Sequence, residues 1–421
     1  MEKAPVVVLL ASICTKVVVE LWLAALNLAE GKKRRDNVPA AFKDVVTKED
    51  YKKSLDYMGA KGRFGMISEF YDGVLMSVLA LGGLSWVYGY VGGAIPNFHR
   101  VDWDALVLLL VLMALSLPGL PLEWWSQFRL EEKFGFNKST AGLWVSDKLK
   151  GAVLMLVLGW PPMVAVLWIF ESFPGVWWMW AWGVFFAFQL VMMILYPMLV
   201  LPLFNKLAPL EDGDLKKALM DLADKAGFAA KTIQVIDGSK RSTHSNAYFT
   251  GFGKFRRIVL YDTLIGHLTP RELMAVLAHE IGHYKKGHVP QMLAVSAILS
   301  FGGFWFINWL VSETAIVNAF GFAGNERAAC LPALLLFMVF SGVFVFWIGP
   351  VMNFWSRKNE FEADAFAREV MNDAQPLVNA LRSLHAKNLS NLVPHPAYSF
   401  FHYSHPTLLE RESALAEKGK P

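Results

Sequence analysis

The stretch His279-Glu280-Ile281-Gly282-His283 has the residue types and spacing for metal-assisted hydrolysis. It reads H-E-x-x-H, and residues four apart on a helix share a face. His279 and His283 can then turn both imidazoles to one metal ion, with Glu280 beside them as a base. The flanking residues predict that helix. Thr269-Pro270-Arg271-Glu272 offers an N-cap threonine, a proline at the first helical position and a glutamate at the third. The run from Leu273 to His283 contains no proline, and Lys285 and Lys286 sit where cations suit the end of a helix dipole. Two surface histidines matching by chance would explain neither this context nor the carboxylates that follow.

A catalytic zinc takes three protein ligands and keeps one position open. A second predicted helix continues from the last apolar stretch through Ser356 to Ala367 and carries Glu360, Glu362 and Asp364. Glu360 and Asp364 are four apart and share a face, whereas Glu362 points elsewhere. Glu360 is therefore the expected third ligand, with Glu362 next in line. Asp364 is expected to orient a ligand histidine through its other ring nitrogen. Without the histidine pair these carboxylates would read as a solvated helix surface. Glu280 is expected to take a proton from the attacking water and pass it to the leaving amine. His402, His405 and Arg411 in the tail are candidate donors to the tetrahedral intermediate, and spacing does not choose among them.

The elements that must position these groups are mostly apolar. The chain has 421 residues, 55% of them hydrophobic, with 16 Trp, 31 Phe and only 18% charged. With a mean hydropathy of +0.36 it suits a multi-pass membrane protein better than a soluble enzyme. The net charge of +4 is modest and implies no nucleic-acid partner. Cys14 and Cys330 form neither a ligand spacing nor a disulfide framework. Seven stretches are long enough to span a bilayer, at about 5–28, 66–93, 104–122, 151–170, 177–203, 289–312 and 331–355. The first lacks the basic leader and cleavage site of a signal peptide and is read as a retained span. Lys16 and Glu20 in the first stretch, and Glu69 and Asp72 in the second, are expected to face protein, a wet interior or the interface.

Loop charges set the orientation. The loop 30–64 holds ten Lys and Arg, and 94–103 holds only Arg100. The alternation continues to the basic start of the tail, at Arg357 and Lys358. The positive-inside rule then puts the N-terminus outside and the C-terminus in the cytosol. The long polar segment 204–288 falls on the cytosolic side. It predicts an amphipathic helix from Asp214 to Ala226 and strands at Thr232–Ile236, Ala247–Thr250 and Arg257–Tyr261. Turns are predicted at Gly238 to Ser242 and at Gly251-Phe252-Gly253. A sheet edge beside a protease site can hold an extended peptide by strand addition. The division expected is 1–203 (spans one to five), 204–288 (sheet and zinc helix), 289–355 (spans six and seven) and 356–421 (C-terminal helices completing the site).

These residues, taken together, resemble the CAAX prenyl protease 1 family of integral-membrane zinc endopeptidases. The resemblance rests on Glu132-Lys133-Phe134-Gly135-Phe136-Asn137-Lys138 and on Pro202-Leu203-Phe204-Asn205-Lys206 with Pro209-Leu210-Glu211. It continues in Asp237 to Ser242, His244 to Phe249, and Val259 to Leu264 leading into the zinc helix. It ends in Ser356-Arg357, Glu360, Ala363-Asp364 and His402-Tyr403-Ser404-His405-Pro406. The match is weakest in the first span and in 312–330. The resemblance implies an all-α membrane fold, with seven helices around an intramembrane chamber and a cytosolic zinc-protease domain containing a small β-sheet. It implies zinc held by His279, His283 and Glu360, with Glu280 as base. It implies that Asn246, Ala247 and Tyr248 form the edge strand that pairs with substrate. His405 and Arg411 would contact the substrate carbonyl or its oxyanion. The implied partners are the lipid bilayer and a peptide or protein substrate, with removal of the last three residues of a prenylated C-a-a-X protein. The implied membrane is the endoplasmic reticulum in a eukaryote and the inner membrane in a bacterium.

Two other readings compete. A quality-control zinc protease without a prenyl requirement shares H-E-x-x-H, but is expected to be smaller with fewer spans. A transporter or scaffold would use Lys16, Glu20, Glu69 and Asp72, yet it gives Glu280 no task, and no repeated halves support it.

Overall fold

Hydropathy marks only the part of a helix that meets lipid, and capping residues can carry the same helix on into water. The computed structural model follows that rule and describes residues 3–39, 42–43, 46–94, 100–228, 232–250, 257–322 and 330–417. Five long helices come first: α1 (Ala4–Lys33), α2 (Lys48–Gly93), α3 (Val101–Phe134), α4 (Ala141–Ser172) and α5 (Trp177–Phe204). The second apolar stretch thus begins 18 residues inside its helix, whose Thr47 cap accepts from Asp50 N at 3.0 Å. Thr140 caps α4 in the same way, accepting from Leu143 N at 3.2 Å.

The polar segment follows, with β1 (Leu207–Pro209), α6 (Asp214–Lys225), β2 (Thr232–Ile236), β3 (Ala247–Thr250) and β4 (Arg257–Tyr261). The sheet order is β1-β2-β4-β3, with β2 and β4 parallel and both outer pairs antiparallel. The three predicted strands stand at their predicted bounds; β1 is an addition. The expected turn at Gly251-Phe252-Gly253 lies outside the described residues. Then come α7 (Asp262–His267), α8 (Pro270–Lys285), α9 (His288–Ser312), α10 (Thr314–Ala319) and α11 (Cys330–Met371). The chain closes with α12 (Gln375–Lys387), α13 (Pro396–His402) and α14 (Leu408–Glu417).

Among the described residues seven helices, α1 to α5 with α9 and α11, are long and apolar enough to cross a membrane. Trp86, Trp180, Trp305 and Phe354 on them are exposed, as lipid-facing side chains must be. Helix α11 has 42 residues, about 63 Å at the usual helical rise, roughly twice the hydrocarbon thickness. Its far end therefore leaves the apolar layer and carries Glu360 and Asp364. One apolar core holds the spanning helices together. A second gathers α6, β4, α8 and α12 through Leu219, Leu260, Leu277, Ile281 and Ala380.

Candidate metal centre

The helix α8 begins as its sequence predicts. Thr269 N donates to Glu272 Oε2 at 2.8 Å, and Glu272 N donates to Thr269 Oγ1 at 3.4 Å, closing a capping box before Pro270. The same helix packs along α11. Gly282 makes the approach possible, because a Cβ there would lie 3.0 Å from both the Cα and the carbonyl oxygen of Ala363. With the backbones this close, Glu360 of α11 reaches the two histidines of α8.

The Nε2 atoms of His279 and His283 are 3.2 Å apart. Glu360 Oε2 is 3.4 Å from His279 Nε2, and Glu360 Oε1 is 3.2 Å from His283 Nε2. Two ligands each about 2.0–2.1 Å from a tetrahedral ion stand about 3.4 Å apart, so these spacings fit one metal. Glu360 Oε2 is also buried without a hydrogen-bond donor, an arrangement that a cation would satisfy. His279, His283 and Glu360 can hold a metal as a set. Glu280 follows directly in α8, and burial raises its carboxyl above the ordinary range although His279 and His283 pull it down.

Each histidine is braced from behind. His279 Nδ1 lies 2.8 Å from Asp364 Oδ1. Arg411 of α14 grips that carboxylate in a fork, Nε to Oδ2 at 2.8 Å and Nη2 to Oδ1 at 2.5 Å. Its Nη1 lies 3.6 Å from Glu360 Oε2. On the other side His283 Nδ1 is 2.9 Å from His288 Nδ1, and His288 Nε2 is 3.3 Å from Glu362 Oε2. Gly287, at φ +70°, turns the chain between α8 and α9 so that His288 folds back on His283. With Nε2 of His283 turned to the metal position, its Nδ1–H donates to His288 Nδ1, and His288 Nε2–H donates to Glu362. The sequence reading missed His288. A third histidine just past the helix-ending glycine was the available signal.

The tail separates its three candidates. His405 Nε2 is 3.4 Å from Glu360 Oε1 while 64% of its side chain remains exposed. Arg411 is buried behind His279. His402 Nε2 instead lies 3.3 Å from Glu20 Oε2 of α1. A cavity of about 780 Å³ opens beside the centre and is lined by His405, His402 and Tyr403, with Glu20 and Glu69 from α1 and α2. Lys16 pairs with Glu69, and Glu20 and Glu69 line this cavity, so three of the four intramembrane charges face protein. Strand β3 lies next to α8 and is one of the two outer strands of the sheet. Tyr261 N donates to Asn246 O at 3.1 Å, which by antiparallel alternation turns the Ala247 N–H to the open edge. There Asn246 Oδ1 accepts from it at 2.8 Å. Tyr248, next in the strand, sets its ring against that of Tyr261.

Residues 27–206 match the N-terminal region of CAAX prenyl proteases, described as five membrane helices, and residues 209–418 match peptidase family M48. CAAX prenyl protease 1 of Saccharomyces cerevisiae is 38% identical over 405 residues, covering 90% of this chain and 88% of that protein. The chain belongs to the CAAX prenyl protease 1 family. The family's human homologue is 32% identical, with 94% of this chain and 93% of that one covered. A crystal structure of S. mikatae Ste24p superposes with a TM-score of 0.89 at 34% identity, over 98% of this chain and 99% of that one. As a CAAX prenyl protease 1 family member the chain is an integral multi-pass membrane metalloendopeptidase, with a seven-helix fold and little sheet.

Proposed function

We propose that the chain is a zinc-dependent endopeptidase that removes the last three residues of prenylated C-a-a-X proteins. The observation that carries the zinc-endopeptidase reading is the convergence of His279, His283 and Glu360 at tetrahedral spacing with Glu280 adjacent, and the likeness to CAAX prenyl protease 1 supports the C-a-a-X substrate. A bound zinc ion supplies a Lewis acid and lowers the pKa of water toward about 7. Glu280 takes the proton from the attacking water and delivers it to the leaving nitrogen. Asp364 holds His279 in the tautomer that leaves Nε2 free, and Arg411 fixes Asp364. His288 and Glu362 do the same for His283. His405 is the exposed group that can reach the substrate carbonyl, and Arg411 Nη1 adds positive charge near the developing oxyanion.

Asn246, Ala247 and Tyr248 would hold the peptide by strand addition, with the Ala247 N–H leaving Asn246 Oδ1 for a substrate carbonyl. The parts 1–203, 204–288, 289–355 and 356–421 then act as one catalytic unit. The loop charges support a cytosolic metal centre and an N-terminus outside. One observation favours a second reading. Charged and polar groups such as Glu20, Lys61 and His402 interrupt the otherwise more apolar lining of the cavity, where an isoprenoid chain would want continuous apolar walls. A prenyl-independent membrane peptidase would suit that lining. Metal replacement tests the zinc assignment. Protein stripped by a chelator should lose cleavage and regain it with stoichiometric Zn²⁺, and cleavage by the stripped protein would refute it.

A further inference from the structure

Helices α1 and α2 run antiparallel, with Val17 beside Gly73, Leu28 beside Gly62 and Gly31 beside Met58. They belong to the end of the bundle that holds the metal centre, where Asn27 Oδ1 accepts from Asn391 Nδ2 at 3.2 Å and from His395 N at 3.1 Å. A groove of about 450 Å³, separate from the cavity described above, opens between these two helices. One end of it is apolar, with Ala25, Leu28 and Met66. The other end carries Lys32, Arg35 and Arg63. Asp56 is the carboxylate in this lining, and Arg35 engages both its oxygens, at 2.6 and 3.0 Å. Among the described residues, Lys32 and Arg63 have no ion-pair partner. The lining therefore keeps a net charge of +2 where the spans leave the apolar layer.

The two ends ask for one amphiphile, an anion with alkyl chains attached. We propose that this groove binds an anionic glycerophospholipid, its phosphate at Lys32 and Arg63 and an acyl chain along Ala25 and Leu28. An isoprenoid alone would leave the cations unmatched, and a free phosphate would leave the apolar end unused. Met58 and Met66 line both this groove and the cavity beside the metal centre. A lipid seated here braces the wall of the site from behind.

Native mass spectrometry of the full chain in detergent tests this, with phosphatidylglycerol and phosphatidylcholine of identical acyl chains. Each cation beside an anionic headgroup is worth about fivefold, so Lys32 and Arg63 together predict a preference for phosphatidylglycerol of roughly 30-fold. The pair Lys32→Gln with Arg63→Gln should bring that preference toward parity. The pair Lys43→Gln with Lys53→Gln, which removes two exposed cations outside the groove, should keep it. Ala25→Trp fills the apolar end without changing charge and should lower retention of the lipid by itself. Equal retention of both lipids by the unaltered chain would overturn the proposal. So would equal loss in the two charge pairs, which would mean diffuse attraction. Displacement of the lipid by millimolar inorganic phosphate would assign the cations to a soluble anion and overturn it too.

Discussion

Burial raises the Glu280 carboxyl because an ionised carboxylate loses solvation there, while His279 and His283 partly offset the effect. A base must be ionised to work, so kcat/KM should rise with pH through a midpoint above about 4.3, the ordinary glutamate value. In the metal-loaded protein, an acid limb that persists with the same midpoint in Glu280→Gln would remove Glu280 from the role. Glu280→Gln should keep the metal and the fold and lower kcat by about 10²- to 10⁴-fold, as for loss of a proton carrier. His279 is opposed by burial, but its contacts with Asp364 and Glu360 outweigh that and raise its pKa. A metal must displace that proton, so apparent metal affinity should fall as pH falls, as read by chelator competition. His288→Ala and Glu362→Gln should each weaken the metal by about 10- to 100-fold. Unchanged affinity in both would reduce the His288 contact to packing. The sequence made His279, Glu280 and His283 legible because local spacing carries them. It pointed to Glu360 and Asp364 through helical period alone. It left His402, His405 and Arg411 unresolved, because Arg411 meets Asp364 across 47 residues by tertiary packing.

Helix α8 was legible as an element because its start is written in Thr269, Pro270 and Glu272, each acting on a near neighbour. Its partner was not, since nothing in the sequence says that Gly282 faces Ala363 of α11. That contact gives a test at this scale. Gly282→Val adds bulk against backbone that cannot move aside, at a cost of about 1–3 kcal/mol. It should part α8 from α11 and lower metal affinity along with the melting temperature. Retention of full affinity would show that the two helices need not touch so closely to bring Glu360 to the histidines. Strands β2, β3 and β4 were legible from their β-branched and aromatic runs. Strand β1 was not, because three residues ending in proline carry no period. The bounds of α2 and α11 ran past their apolar stretches for a similar reason. Hydropathy registers lipid contact and is silent once a helix enters water.

At the scale of the whole molecule, seven candidate spans place the candidate metal centre at one end of a membrane bundle, beside a cavity that α1, α2 and the C-terminal segment enclose. Composition made the spans legible, whereas the closure of that cavity depends on Asn27, Asn391 and His395 meeting across more than 360 residues. Loop charge predicts that a cysteine introduced at position 43 reacts from the cytosolic side, and one at 313 from the opposite side. Labelling of both from one side would break the proposed topology. The central claim is that this centre hydrolyses the C-terminal end of C-a-a-X sequences by metal and Glu280. The most direct measurement is cleavage of matched C-a-a-X peptides, prenylated and bare, by the detergent-purified protein, with and without chelator and beside Glu280→Gln. The account predicts release of the last three residues from the prenylated peptide, abolished by chelator and slowed by at least about 100-fold in the variant. Cleavage that survives the chelator, or that runs in Glu280→Gln at close to the unaltered rate, would contradict it.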